Sequence, residues 1–314
     1  MTSKEEYKII CTKQKSDLPV FMQYWWLDEV CGSWDVAIAK KGEHVSGVWA
    51  YPVEQKMGVT FLRTPPLTPY LGPHVFYPDG LRENKRDSYE HDTVAELVKQ
   101  LPEAKVWHLA LPPGIYQAGI FKNLKLDNHV QQTFLLGLAP AEEALLANMK
   151  EATRRNIRGA EAEITIRNDP SQLKELYRFQ LSTLGKKGKD VGYTAEYLQK
   201  IMGACIANGA AALWVAKSGD KTEAIVWQVW DGQTSYYLMG AQNPGTTSYR
   251  AMTLLMWHMI REAKKRGNAH FDFEGSMDEG VERFFRNFGA ERNLYLVLHR
   301  NNSLLWKLKK AVLK

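Results

Sequence analysis

Apolar residues in the second half of the chain recur with helical or strand spacing. A period near 3.6 residues predicts a helix, and strict alternation predicts a strand. From residue 164 the pattern predicts a strand at 164–167, helices at 170–185 and 194–209, and three strands within 211–242. A helix at 247–266, a strand at 269–275, a helix ending at Phe288 and a last strand at 293–300 follow. Glycines follow or end the helices at Gly185, Gly209 and Gly267, which supports this order.

The first half of the chain repeats most of this order with one helix fewer. Its pattern predicts a strand at 7–12, a helix at 18–30, three strands within 34–64, and then helix, strand, helix and strand at 91–101, 105–111, 114–123 and 129–138. Segments 36–49 and 213–227 share a strand, a glycine turn and a strand ending in tryptophan. The repeat predicts an internal duplication, with domains at 1–140 and 141–314.

Composition narrows the class of protein. With 314 residues, of which 45% are hydrophobic, the chain is long enough for two domains with buried cores. No stretch approaches the roughly 20 apolar residues of a membrane span, and the start MTSKEEYK lacks the apolar core of a secretion leader, so we expect a cytoplasmic protein. Cys11, Cys31 and Cys205 have no C-x-x-C spacing, and this predicts neither a disulfide framework nor a bound metal.

The net charge of +6 favours anionic partners, and two segments concentrate the cations. Segment 149–161 places Lys150, Arg154 and Arg158 on one helical face with Arg155 beside them; an exposed charged face and an anion-binding face both fit this pattern. Segment 303–314 alternates leucines and lysines at helical spacing. It predicts an amphipathic terminal helix, which either docks on the protein or contacts an anionic membrane surface.

Three titratable residues alternate on the strand predicted at 269–275. His270, Asp272 and Glu274 would share one face, opposite the phenylalanines. An unpaired buried carboxylate costs several kcal/mol, so these groups either pair with a cation or face a functional cavity. Ser276 and Glu279 have the spacing of a capping box that starts the next helix.

The element order and three motifs resemble the FemAB-like branch of the GNAT acyltransferases. The motifs are TRRNIR at 153–158, DFEGS at 272–276 and FFRNFG at 284–289. The resemblance implies an α+β fold of two tandem GNAT units, each with a central mixed sheet flanked by helices, of which the first is degenerate and the second carries the active site. It also suggests a bacterial protein. The long helical-hairpin arm of some bridge-forming members has no counterpart here, which weakens an aminoacyl-tRNA interpretation.

The resemblance directs the search for catalytic residues to the second unit. Transfer of an acyl group to an amine requires a base, a held donor and groups that stabilise the oxyanion. We expect Glu274 to be the base, Asp272 to position the acceptor or its neighbours, and Tyr237 to protonate the leaving group. Cys205 lies in a helical pattern without an adjacent histidine, so a covalent cysteine is not expected.

The donor site implied by the resemblance is a turn before the helix at 247–266. Gln242 and Gly245 fit the phosphate-binding pattern of acyl-CoA enzymes, with Thr246 next to them, although Thr247 stands where a small residue is usual. Arg286 occupies the place of a cation that orients the donor or its oxyanion. An alternative for Arg286 is an ion pair with Glu282, four residues earlier.

Acceptor-binding candidates come from both halves of the chain. We expect Arg154, Arg155 and Arg158 to bind an anionic part of donor or acceptor, and the loop residues Tyr70 and Tyr77 to line a ligand cleft.

Three functions remain open from the sequence. The first is an N-acyltransferase that uses acyl-CoA and a small-molecule amine. The second is transfer from aminoacyl-tRNA to a cell-wall precursor, in which the basic segments would contact RNA and membrane. The third is a non-catalytic protein of the same fold that binds an anionic partner.

Overall fold

The computed structural model describes residues 1–13, 18–115, 117–186, 188, 190–246, 248–275 and 278–303. By backbone contacts the chain forms two compact units. Unit 1 is Met1–Gln131 together with the chain from Leu294 onward, and unit 2 is Gln132–Asn293. The predicted division at 140/141 concerns a duplication of sequence and stays a prediction.

Unit 1 combines short helices with two groups of strands. Its elements are α1 (Ser3–Lys13), a 3-10 turn (Val20–Met22), α2 (Tyr24–Val30), β1 (Trp34–Lys41), β2 (His44–Pro52), β3 (Glu54–Lys56), β4 (Val59–Arg63), β5 (His74–Val75), α3 (Glu83–Lys99), β6 (Val106–Ala110), α4 (Ala118–Asn123) and the start of β7 (Asp127–Gly137). Strands β1, β2 and β5 form a small sheet, and β3, β4 and β6 pair in that order, with the end of the last strand of the chain beside β6.

The strand predicted at 7–12 is wrong, because this segment belongs to α1. Tyr7, Ile10 and Cys11 are buried at positions i, i+3 and i+4, which is helical spacing. The short run of adjacent apolar residues concealed this period.

Unit 2 has the element order predicted for it. After α5 (Glu142–Asn148) and α6 (Glu151–Glu161) come β8 (Thr165–Asn168), a 3-10 turn (Pro170–Gln172), α7 (Leu173–Gly185), α8 (Ala195–Ala207), β9 (Ala211–Ser218), β10 (Lys221–Trp230), β11 (Thr234–Gln242), α9 (Arg250–Arg266), β12 (His270–Asp272), α10 (Glu279–Arg286) and β13 (Glu291–Asn301), which ends in unit 1. The strands lie in the order β7, β12, β11, β10, β9, β8.

Helix α9 is the main cover of this sheet. Ten of its 17 residues are buried, so most of its circumference lies in the core with Phe271, Phe273 and Phe288. Gly267 ends the helix at φ +84°, the left-handed conformation that glycine adopts without strain. No helix among the described residues has the length and apolar content that crossing a bilayer demands. The predicted amphipathic helix within 303–314 lies almost entirely outside the described residues, as do Thr247 and Ser276.

Candidate active site

The chain turns sharply just after β12. The strand ends at Asp272, earlier than predicted, because Glu274 and Gly275 both have left-handed backbone conformations, with φ of +56° and +46°. A Cβ atom on Gly275 would lie 2.1 Å from the carbonyl oxygen of Gln132, so only glycine fits there. A left-handed glutamate costs roughly 1–2 kcal/mol, and such strain concentrates at functional sites.

The carboxylate of Asp272 holds this turn in place. The side chain is buried, with 2% of its surface exposed. Its Oδ1 accepts hydrogen bonds from the hydroxyl of Thr133, at 2.5 Å, and from the backbone N–H of Glu274, at 2.8 Å. Asp272 therefore fixes the backbone that carries Glu274. The hydrogen bond from Thr133 was not predictable, because Thr133 lies on a strand far away in sequence and no local motif indicates this contact.

The carboxyl group of Glu274 has the opposite environment. Its Oε1 is buried and has no hydrogen-bond partner among the described residues. Burial, and then the negative charge of Asp272, raise the pKa of Glu274 well above its usual range. A raised pKa makes the ionised form of this carboxyl group a stronger base than that of an ordinary glutamate.

Tyr237 of β11 lies close enough to Glu274 to be affected by its charge. Burial and then the charge of Glu274 raise the pKa of Tyr237, so the phenol stays protonated at neutral pH. Its ring packs edge-on against Phe285 at 5.7 Å between centroids. A Cβ atom at Gly240 would lie 2.4 Å from the tyrosine oxygen, so this glycine leaves the space that the phenol fills. A glycine inside a strand is a known sign of such an approach.

The two side chains lie where parallel strands separate. Strands β11 and β12 pair in parallel, and their last pair is Tyr236 with Asp272. Beyond this pair β11 continues along β10 to Gln242, with a shift in register. The chain after β12 instead follows β7, where the N–H of Phe273 donates to the carbonyl of Phe134. Open sheets bind ligands at the carboxyl ends of parallel strands. Tyr237 and Glu274 both stand just past this point.

The candidate donor turn between β11 and α9 uses most of its polar groups internally, although the buried Oε1 of Gln242 has no partner among the described residues. The N–H of Gly245 bonds to Asn243 Oδ1 at 3.0 Å, and the N–H of Thr246 bonds to the carbonyl of Asn243 at 2.9 Å. Gln242 Nε2 donates to the carbonyl of Thr246 at 2.8 Å. The two N–H groups therefore already have acceptors, and a phosphate would have to compete with them.

A carboxylate missed in the sequence also adjoins this turn. Glu223 of β10 accepts a hydrogen bond from the hydroxyl of Thr246 and pairs with Lys221 at 2.9 Å. Burial by itself raises the pKa of Glu223, but the hydrogen bonds from Thr246 and Lys221 hold it below the usual value, so the group is ionised. Glu223 follows a predicted turn between two strands, and nothing in the sequence around it indicated a contact with Thr246.

The cationic candidates do not form one cluster around these groups. Arg286 pairs with Glu282 at 3.6 Å, as the alternative interpretation expected. Arg154 donates to the carbonyls of Ala147 and Met149, at 2.6 and 2.8 Å, and so caps the C-terminal end of α5. Arg155 and Arg158 are exposed, and neither has an ion pair with a described residue.

The two tyrosine candidates of unit 1 are occupied by local contacts. Tyr70 is buried and packs edge-on against Tyr295 at 5.1 Å. Tyr77 donates its hydroxyl to Glu90 at 2.6 Å, and burial followed by this contact raises its pKa to about 12. Their predicted role in lining a ligand cleft stays a prediction.

Similarity to known proteins supports the domain type. Residues 146–286, which include Tyr237, Asp272 and Glu274, match the model of an acetyltransferase (GNAT) domain. The chain superposes on the crystal structure of FemX with a TM-score of 0.66, at 14% identity over 98% of each chain. The chain has the FemAB-like GNAT acyltransferase fold. This fold confirms the predicted α+β class, and the match to the acetyltransferase domain supports the predicted enzyme class, acyltransferase.

Two further structures share this fold. One is the C-terminal domain of a putative lysylphosphatidylglycerol synthetase from Agrobacterium fabrum, with a TM-score of 0.57 at 12% identity, covering 95% of this chain and 93% of that one. The other is the L-PGS structure from Bacillus licheniformis, with a TM-score of 0.53 at 12% identity, covering 96% and 94%. No curated protein matches the sequence significantly. The described residues include no group of three or more His, Cys, Asp or Glu side chains placed to hold a metal ion.

Proposed function

We propose that the protein transfers an acyl group from an activated donor to an amine by direct attack, with Glu274 as the general base. The observation that carries this proposal is the buried Oε1 of Glu274, which has a raised pKa and no partner among the described residues. In the step, the amine nitrogen bonds to the acyl carbon, Glu274 takes the amine proton, and the bond to the leaving group breaks. Such a base contributes about 10²–10⁴-fold in rate.

Tyr237 protonates the leaving group in this scheme. Its raised pKa keeps the phenol proton available, and its hydroxyl makes no hydrogen bond to a described residue. Asp272 acts as a positioning residue, because its Oδ1 fixes the backbone N–H of Glu274. A covalent cysteine intermediate does not fit, since burial raises the pKa of Cys205 and suppresses its thiolate.

The donor we favour is an aminoacyl-tRNA. At the turn before α9 the N–H groups of Gly245 and Thr246 already have acceptors, and ionised Glu223 adjoins them, which disfavours a pyrophosphate. The exposed side chains of Arg155 and Arg158 lack counter-ions among the described residues and suit RNA phosphates. The acceptor in this case is an amine of a cell-wall or lipid precursor, met at the cytoplasmic face of the membrane.

The second candidate donor is acyl-CoA, with a small amine as acceptor. The match to the acetyltransferase (GNAT) domain favours it. So does the position of Gln242 and Gly245 before the 17-residue helix α9, whose first N–H groups and dipole attract anions.

Thermal unfolding with each donor distinguishes the two. A ligand of the native state raises the melting temperature by mass action. We expect stabilisation by charged tRNA that weakens steeply with added salt, because several phosphate contacts are lost together. A salt-tolerant shift with acetyl-CoA alone would select the second candidate.

The substitution Glu274→Gln then tests the base with whichever donor binds. We expect turnover to fall by about 10²–10⁴-fold while donor binding is kept. The matched control is Glu279→Gln, an exposed glutamate of α10 that should leave turnover unchanged. Equal turnover of wild type and Glu274→Gln would contradict the assignment, and donor binding without any transfer by the wild type would favour a non-catalytic anion-binding protein.

A further inference from the structure

A cavity of about 540 Å³ lies within unit 1, and none of the proposed catalytic or donor residues lines it. It is bordered by the ends of α3 and α4, the start of β6 and the end of β13. Its size is in the range of small-molecule sites. The described residues of its lining include three cations, one carboxylate and an apolar surface, and this composition indicates what the cavity binds.

Arg300 brings a positive charge into this lining without a carboxylate at ion-pair distance, although Glu103 also lines the cavity. Its Nη1 donates to the carbonyl of Leu124 at 2.8 Å and its Nη2 to that of Ala104 at 2.5 Å, while the guanidinium stands over the ring of Trp107 at 5.5 Å. No carboxylate among the described residues lies within ion-pair distance of it. Burial lowers the pKa of Arg300, against the attraction of Glu103. A partly buried charge of this kind is stabilised by an anion.

Two lysines of the lining add to this charge. Lys105 and Lys125 are exposed, and neither ammonium group has a partner among the described residues. Lys125 has φ +56° at the first position after the cap of α4, where glycine is the usual residue. The backbone therefore carries strain that glycine would relieve, and the lysine side chain is present in spite of it.

The rest of the wall is partly apolar. Its apolar part includes Val98, Leu101, Leu124 and the ring of Trp107, and its polar part consists of Thr60, Asn123, Asn302 and the exposed carboxylate of Glu103. We propose that this cavity binds a small anion with an apolar body, whose charge lies among Lys105, Lys125 and Arg300 and whose body contacts the apolar wall. Because it shares no residue with the catalytic assignment, this site stands whether or not the proposed reaction is correct.

The test uses octanoate as the probe, in calorimetric titrations of the full chain. Octan-1-ol has the same body without the charge, and acetate has the charge without the body. We expect octanoate to bind with a Kd at least about tenfold lower than either, because both parts contribute. Absence of octanoate binding, or equal binding of octan-1-ol, would overturn the proposal.

The substitution Lys125→Gly separates binding from folding. It removes one cation and relieves the left-handed strain, so the melting temperature should rise while the Kd for octanoate increases about tenfold. The control is Met57→Gly, which relieves similar strain at φ +50° on an exposed residue outside the lining. It should raise the melting temperature and keep the affinity. Unchanged octanoate affinity in Lys125→Gly would contradict the site.

Discussion

The end of β12 and the turn before α9 both follow strands of unit 2, but their carboxylates and backbone N–H groups differ in environment. After β12, Oε1 of Glu274 is buried without a partner. In the turn before α9, the N–H groups of Gly245 and Thr246 and the carboxylate of Glu223 all have partners, and only the neutral amide oxygen of Gln242 is buried without one among the described residues. Unsatisfied buried groups are costly and so need a reason, while satisfied ones stabilise the fold. This difference is consistent with our proposal that the reaction takes place at the end of β12.

Among substitutions that test this comparison, we expect Gly275→Ala to change the free energy of unfolding most. The added Cβ would lie 2.1 Å from the carbonyl oxygen of Gln132, and the alanine would have to adopt a left-handed backbone conformation. We expect a loss of about 3 kcal/mol in the free energy of unfolding, measured by urea denaturation. Gly267→Ala is the control for backbone strain alone, since φ is +84° there and no atom lies within 4 Å of the Cβ that the substitution adds. Equal losses would show that the approach to Gln132 is unimportant.

A smaller effect is expected when Asp272 loses its hydrogen bonds. Asp272→Ala leaves the Thr133 hydroxyl and the N–H of Glu274 without their acceptor, whereas Asp272→Asn keeps an oxygen in place. We expect the alanine variant to unfold with about 2 kcal/mol less free energy than the asparagine variant. If the two variants are equally stable, Asp272 does not hold the turn.

The smallest effect concerns the turn before α9. Glu223→Gln removes a negative charge beside Thr246 and keeps the side-chain shape. If the second candidate donor, acyl-CoA, is correct, we expect this variant to bind acetyl-CoA about threefold more tightly, seen as a larger rise in melting temperature, because one repulsion is removed. Weaker binding in this variant would mean that Glu223 supports the donor site.

The sequence predicted unit 2 better than unit 1, for physical reasons. Its helices have long amphipathic periods and glycine ends, such as α9 with Gly267, so local patterns decide the elements. In unit 1 the short apolar run at 7–12 fits helix and strand equally, and packing around Tyr7 and Cys11 decides for the helix.

The candidate site was predictable only in part. Glu274 and Asp272 could be selected because acids alternate on an apolar strand. Their different environments were not predictable, since the strand ends at Asp272 and Thr133 approaches from a distant strand. Nor did the sequence show that Arg154 would cap α5 or that Glu223 would adjoin the donor turn. Such contacts depend on tertiary packing rather than on local spacing.

The raised pKa of Glu274 makes a prediction about stability that needs no substrate. Unfolded glutamate has a pKa of about 4.3, while the folded value is raised well above it. Between these values the folded protein holds a proton that the unfolded chain has released. The free energy of unfolding therefore falls as pH rises through this window, by at most about 1.4 kcal/mol per pH unit.

The most direct measurement compares urea unfolding of wild type, Glu274→Gln and the control Glu279→Gln from about pH 4 upward. Glutamine has no proton to release, so the account predicts that the wild type loses stability relative to Glu274→Gln as the pH rises, and that Glu279→Gln follows the wild type. If the curves of wild type and Glu274→Gln stay parallel, Glu274 has an ordinary pKa and is not the poised base of this site.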